Sequence, residues 1–207
     1  MITVTGTMKT EVVYNEAMTE RYRLSKIWDE RRDIYSLLMI QAGTANEVTI
    51  GMTEMYSIRN LHQINAGGFE ALNMSSVIAD SLNTKELSLS ETNVQEILAS
   101  INRTGQCIIC WGKIGESNRR VAAVQRELLK HLEPVEDKLF TIVTDSGENW
   151  HPIAPQIRHE WRIERFTRPD YLLEEPEVKT EQPAQAAKSV QTDTLTDKSM
   201  KHIVNQL

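Results

Sequence analysis

Several features are scarce in this chain, and each scarcity narrows the field. Cysteine occurs twice in 207 residues, as Cys107 and Cys110. That excludes a disulfide scaffold and suits reduced thiols in a cytoplasmic protein. No run of apolar residues approaches the roughly 20 needed for a membrane helix, so no membrane is expected as a partner. Met1-Ile-Thr-Val-Thr-Gly6 has neither the basic start nor the apolar core of a signal peptide. Positive charge is not in excess. The formal net charge is -6, which argues against a cationic sleeve for nucleic acid, although a local basic patch still permits DNA contact. No glycine loop of the Walker type appears, and Gly67-Gly68 alone is weak. No acidic cluster is spaced for a metal, and no cofactor is implied.

What is present alternates. Ile2 to Tyr14 is rich in Val, Thr and Ile and reads as one or two extended strands, with Tyr22, Leu24 and Ile27 continuing an antiparallel part. Ile34–Ile40 is a short apolar run that meets Gly43, which favours a buried strand over a helix. Thr49–Ile64 carries Met52, Met55, Tyr56 and Ile58 at helical spacing, with Ala66-Gly-Gly68 as the stop. Phe69–Met74, Gln106–Trp111 and Leu139–Thr144 repeat the strand pattern. Thr92–Ile101 and Arg119–Leu132 are amphipathic helices, and Ser75–Ser90 reads as a loop. The fold class is therefore α/β: a three-layer domain over residues 1–171, with a mostly parallel four-stranded sheet, helices on both faces and N-terminal antiparallel strands. Residues 172–207 are polar and acidic and read as a disordered tail. A short terminal helix around Met200, Ile203, Val204 and Leu207 would serve to dock a protein partner.

The polar residues worth attention fall at strand ends, where open α/β sheets bind ligands. They are Gln41, Thr44 and Asn46 after the first core strand, Asn73 at the end of the second, Trp111-Gly112 at the end of the third and His151-Pro152 after the fourth. Each also has a plain structural reading. Asn73 can bond loop backbone, Trp111 can be a core aromatic, and His151 can be a turn residue. Cys107 and Cys110 imitate a metal motif, but residues three apart on a strand face opposite ways, so a buried apolar pair is expected. Arg158, Arg162 and Arg165 stand with His159 and Trp161 in a basic, aromatic stretch. It suits either phosphate contact or a solvated element paired with acidic neighbours.

The ordered set Arg21-Tyr-Arg-Leu-Ser-Lys-Ile-Trp-Asp29, Gln41–Asn46, the helix Thr49–Ile64, Gly67-Gly68 into Leu72-Asn73, Trp111-Gly112 and His151-Pro152 resembles the bacterial and phage family called domain of unknown function 1643. The resemblance covers about residues 20 to 155, and its most specific piece is Arg21–Asp29. More distantly, the order of these motifs is similar to the uracil-DNA glycosylase superfamily. That likeness implies a glycosylase-like fold and a hydrolase that cleaves an N-glycosidic bond in DNA or a nucleotide. It places Gln41 at the water-positioning place, His151 as donor to the departing base and Asn73 as a base-edge contact. Thr44, Asn46, Trp111 and Gly112 complete the substrate site. This chain departs from the pattern where the family has Asn-Pro-Ser and a following Asp. It has Gln41-Ala42-Gly43 and Asn46 instead, and so lacks the carboxylate and the proline. Two expectations follow: a divergent glycosylase, or a catalytically silent binding or regulatory protein on the same fold, of phage or prophage origin.

Overall fold

The apolar run Ile34–Ile40 is where the sheet is built. Leu37, Leu38 and Met39 are all buried, and such a run, apolar on both faces, is stable only when layers cover it from both sides. The computed structural model describes residues 1–148 and 150–173. In it the strands β1 (Lys9–Tyr14), β2 (Arg21–Ile27) and β3 (Ile34–Gln41) lead into helix α1 (Met52–Gln63) and strand β4 (Gly68–Ser75). Helix α2 (Glu91–Thr104), strand β5 (Cys107–Ile109), the short turn α3 (Ile114–Ser117) and helix α4 (Arg119–His131) follow. A 3-10 segment, Glu133–Lys138, leads to β6 (Leu139–Val143), β7 (Arg162–Arg165) and the turn α5 (Asp170–Leu173).

These strands form one seven-stranded sheet in the order β1-β2-β4-β3-β5-β6-β7. Its centre, β4-β3-β5-β6, is the expected parallel sheet of four. The expected total of four core strands is corrected upward, because β1 and β2 join antiparallel at one edge and β7 at the other. Strand β7 falls in the basic stretch and carries no apolar run, because Arg-Ile-Glu-Arg buries almost nothing; only Ile163 packs against the core. The Ile2–Tyr14 segment supplies one strand, not two, since pairing starts at Lys9.

Two cores result. On one face α2 and α4 deliver Val94, Ile97, Ile101, Val121 and Leu128 against Leu38, Leu72 and Ile109. On the other, Leu61 of α1 joins Leu37, Met39, Ala71 and Ile108. Each fully buried aliphatic side chain contributes about 1.5–3 kcal/mol. Cys107 belongs to the first core and Cys110 to the second, so they do face opposite ways.

Helix ends follow local chemistry. Ser90 Oγ accepts the Asn93 N–H at the start of α2, and Gly105 closes it at φ 74°. Asn118 Oδ1 caps α4. At the end of α1 the left-handed residue is Asn65, at φ 66°, ahead of the glycines expected to stop it. Gly67 has another use: a Cβ there would lie 1.9 Å from the Asp29 carbonyl oxygen, so only glycine admits the turn after β2. Leu172 of α5 is buried in the first core, so ordered structure passes the expected boundary at residue 171. The expected tail and terminal helix lie outside the described residues. Among the described residues, no helix is long and apolar enough to cross a membrane.

Candidate functional site

Strand β3 runs to β4 by way of α1 on one face, and β4 returns across β3 to β5 by way of α2 on the other. The loops leaving β3 and β5 therefore part to opposite faces, and a crevice opens between them at the carboxyl ends of the strands. A cavity of about 470 Å³ lies there, of a size for a small molecule. It is lined by Ile40 and Gln41 at the end of β3 and Gly43 beyond it, by Trp111, Gly112 and Lys113 after β5, by His151 and Ile153 after β6, and by Ala79–Leu82 from the loop after β4.

The structure thus brings together Gln41, Trp111, Gly112 and His151 from three separate motifs. Their roles differ. The Gln41 Oε1 accepts the Asn83 N–H at 3.0 Å, which ties the Ala79–Asn83 loop to the end of β3. Trp111 is 1% exposed; its ring packs edge-on to Phe166 at 6.0 Å, so it is mainly core and only floors the cavity. Gly112 sits at φ 71°, and a Cβ there would come within 3.3 Å of the His151 Cβ. That glycine lets the β5 loop lie flat against the histidine.

His151 is the chemically distinctive group. Burial lowers its pKa from 6.5 to about 4, so the imidazole is neutral at ordinary pH. Its Nδ1 accepts the Ile153 N–H at 3.4 Å, a long contact that favours the tautomer with the proton on Nε2. The ring is then a neutral hydrogen-bond donor. Two charged groups stand in the same lining, Asp80 outside every motif and Lys113 directly after Trp111-Gly112. Asp80 is exposed on the loop after β4, and the Lys113 ammonium lies 4.5 Å over the Trp150 ring.

Other expected site residues go elsewhere. Asn73 is 1% exposed and shares the β4 face of Phe69 and Ala71, beneath α1; it does not line the cavity. The Asn46 Oδ1 accepts the N–H groups of Val48 and Thr49, so it shapes its own loop, and Thr44 is exposed beside it. The three arginines of the basic stretch each have a partner within the chain. Arg158 donates to the Ile153 carbonyl and lies over Tyr56, Arg162 pairs with Asp145 and Glu164, and Arg165 lies over Phe140. Among the described residues, no group of three or more His, Cys, Asp or Glu side chains is placed to hold a metal.

Fold and cavity together define an α/β protein with an open crevice at the switch point of a mixed sheet. The chain matches the family described as protein of unknown function DUF1643 over residues 21–153, and it belongs to that family. No curated protein and no solved structure matches it.

Proposed function

We propose that the crevice receives a nucleobase, carried by a nucleotide or by DNA, and that the protein is a divergent N-glycosidic hydrolase of uracil-DNA-glycosylase-like design. The observation that carries this reading is His151: a neutral imidazole, held so by burial, presented beside Gly112 and Gln41 in a cavity of nucleobase scale. Breaking an N-glycosidic bond puts positive charge on the sugar and negative charge on the leaving base. A fixed neutral donor on the base side stabilises that transition state more than the ground state. A base in duplex DNA must leave the stack to reach such a crevice.

Water activation falls to Asp80 in this scheme, because Gln41 has its carbonyl engaged with Asn83 and a carboxamide is no base. The test is alkali-induced strand scission of oligonucleotides carrying uracil and other modified bases, single- and double-stranded, beside release of free base from nucleotides. Base release is expected from the parent, lost in His151→Ala and sharply reduced in Asp80→Asn. A second reading rests on the same Gln41–Asn83 bond, which leaves the water-positioning place filled by structure: a silent binding protein on this fold. Nucleobase binding without release of any base favours that reading; neither binding nor release removes both.

A further inference from the structure

The pairing of β2 with β1 slips between Val13 and Tyr14, from Val13 opposite Arg23 to Tyr14 opposite Arg21. That bulge at Tyr22 breaks the alternation that would keep Arg21 and Arg23 on one face. Arg23 turns to Glu96 of α2. Arg21 turns instead to the α1 face, where its Nη1 donates to the Ala45 carbonyl. Lys26 is on that face too, with Nζ 3.4 Å from the Asn46 carbonyl. Both cations are 1% exposed.

Two carboxylates face these cations. Glu54 of α1 is buried, and one of its oxygens is held by the Gly51 N–H; Glu47 is exposed on the loop after β3. Burial lowers the proton affinity of both cations, while Glu54 opposes it at both and Glu47 at Lys26. Of the two carboxylates only Glu54 shares the cations' burial, a costly arrangement that a further buried anion would relieve. Two donors are also unmatched: the Arg21 Nε and the Asn73 Nδ2 are buried without a hydrogen-bond partner among the described residues. Asn73 stands on the same face, two residues on from Ala71, the partner of Leu24.

We propose that Arg21, Lys26 and Asn73 form a binding site for a phosphate group, either free phosphate or a phosphate monoester. The two unmatched groups beside the cations, the Arg21 Nε and the Asn73 Nδ2, are both donors, so the ligand must be rich in acceptors. The Arg21 and Lys26 head groups meet at neighbouring carbonyls, and Asn73 stands on the same sheet face; donors from three separate strand positions suit a tetrahedral oxyanion better than a planar carboxylate. The loop Gly43–Ile50 covers the site. Its Ala45 and Asn46 carbonyls hold the two cations as neutral dipoles, and a phosphate would replace them with full charge. The same loop borders the crevice through Gly43, so a phosphate here would couple to the crevice. The proposal stands without the nucleobase reading, because free phosphate alone suffices.

The experiment is titration of the full chain with sodium phosphate at constant ionic strength, followed by calorimetry and thermal unfolding. Saturable binding and a rising melting temperature are expected. Lys26→Met should weaken phosphate about tenfold or more, as loss of one charge-assisted hydrogen bond does, yet leave the phosphate-free protein as stable or more so. Asn73→Asp provides a second route: a carboxylate among the cations should stabilise the phosphate-free protein and abolish the response to phosphate. No saturable binding by the parent, or binding unchanged in either folded variant, overturns the site. A nucleoside monophosphate that binds tighter than orthophosphate assigns the group to an ester, and equal binding assigns it to free phosphate; both support the site. A nucleoside that binds while phosphate has no effect overturns the phosphate site and leaves the nucleobase crevice intact.

Discussion

His151 couples function to stability through one protonation equilibrium. Its folded pKa is about 4 against 6.5 for the exposed ring. Below pH 6.5 the unfolded chain takes up a proton that the folded chain refuses, so stability falls as pH drops from 6.5 towards 4 and then levels off. Above 6.5 the contribution is fully present. The limit is on the order of 3 kcal/mol, reduced because the ring keeps some contact with solvent. Urea midpoints of the parent and His151→Ala across pH 4–7 should diverge in that window, the parent showing the steeper loss. A parent curve parallel to that of the variant would place the imidazole in solvent. Gly112 makes a second prediction at this scale. Alanine there must adopt φ 71° and press on the His151 Cβ. We expect Gly112→Ala to lose about 1–2 kcal/mol and to weaken ligand binding in the crevice more than that loss accounts for, measured by urea unfolding beside calorimetry.

At the scale of elements, one buried carboxylate stitches sheet to helix. Glu70 of β4, itself 4% exposed, accepts Arg103 through both oxygens and Ser100 through one, while Ser100 reaches Ser36 of β3 at 2.8 Å. Truncating one member of a buried pair typically costs 3–5 kcal/mol; Arg103 is half exposed, so we expect about 2 kcal/mol for Glu70→Ala. A double-mutant cycle with Arg103→Ala should return a coupling of about 1 kcal/mol or more, and an additive cycle would dismiss the pairing. The cysteines give an opposite case. Burial pushes both thiols up, and each is sealed in its own core. Neither should react with iodoacetamide in the native state, and both should react on denaturation; rapid native labelling would contradict the packing.

These elements also show what the sequence made legible. Strands β3 to β6 announced themselves because burial on both faces demands mostly apolar runs; Ile34–Ile40 is one, broken only by Ser36, and β4 keeps the pattern around Glu70 and Asn73. Strand β7 demands nothing of the kind, since an edge strand needs only backbone pairing. The face of Asn73 was hidden for another reason. The likeness to glycosylases gave it a base to touch, but β4 alternation turns it under α1, away from the crevice. Asp80 and the Ala79–Leu82 wall carry no motif. They reach the crevice because the Asn83 N–H bonds to Gln41, a tertiary contact that no local pattern encodes.

For the whole molecule, the distribution of burial predicts where it opens first. Strands β3, β4 and β5 are buried in the middle of the sheet, between two cores. Their amides can exchange only when the sheet itself opens, at a cost near the global stability. The loops Ala42–Gly51 and Ser76–Ser90 are different. They are mostly exposed, carry little regular structure, and are held by a few bonds such as Asn46 to Thr49 and Gln41 to Asn83. Native-state hydrogen exchange should therefore be slowest in the central strands and fastest in these two loops, by several orders of magnitude. Both loops wall the candidate sites: the second closes the crevice, and the first lies over Arg21 and Lys26. A ligand bound at either place must slow exchange there without changing the central strands much, since it stabilises the local closed state more than it alters the core. A nucleotide that protects Ala79–Asn83 alone marks the crevice, one that protects Ala45–Thr49 alone marks the buried cations, and one that protects both spans the two. Protection spread evenly over the sheet would mean that the ligand acts only on global unfolding and that neither loop is part of a site.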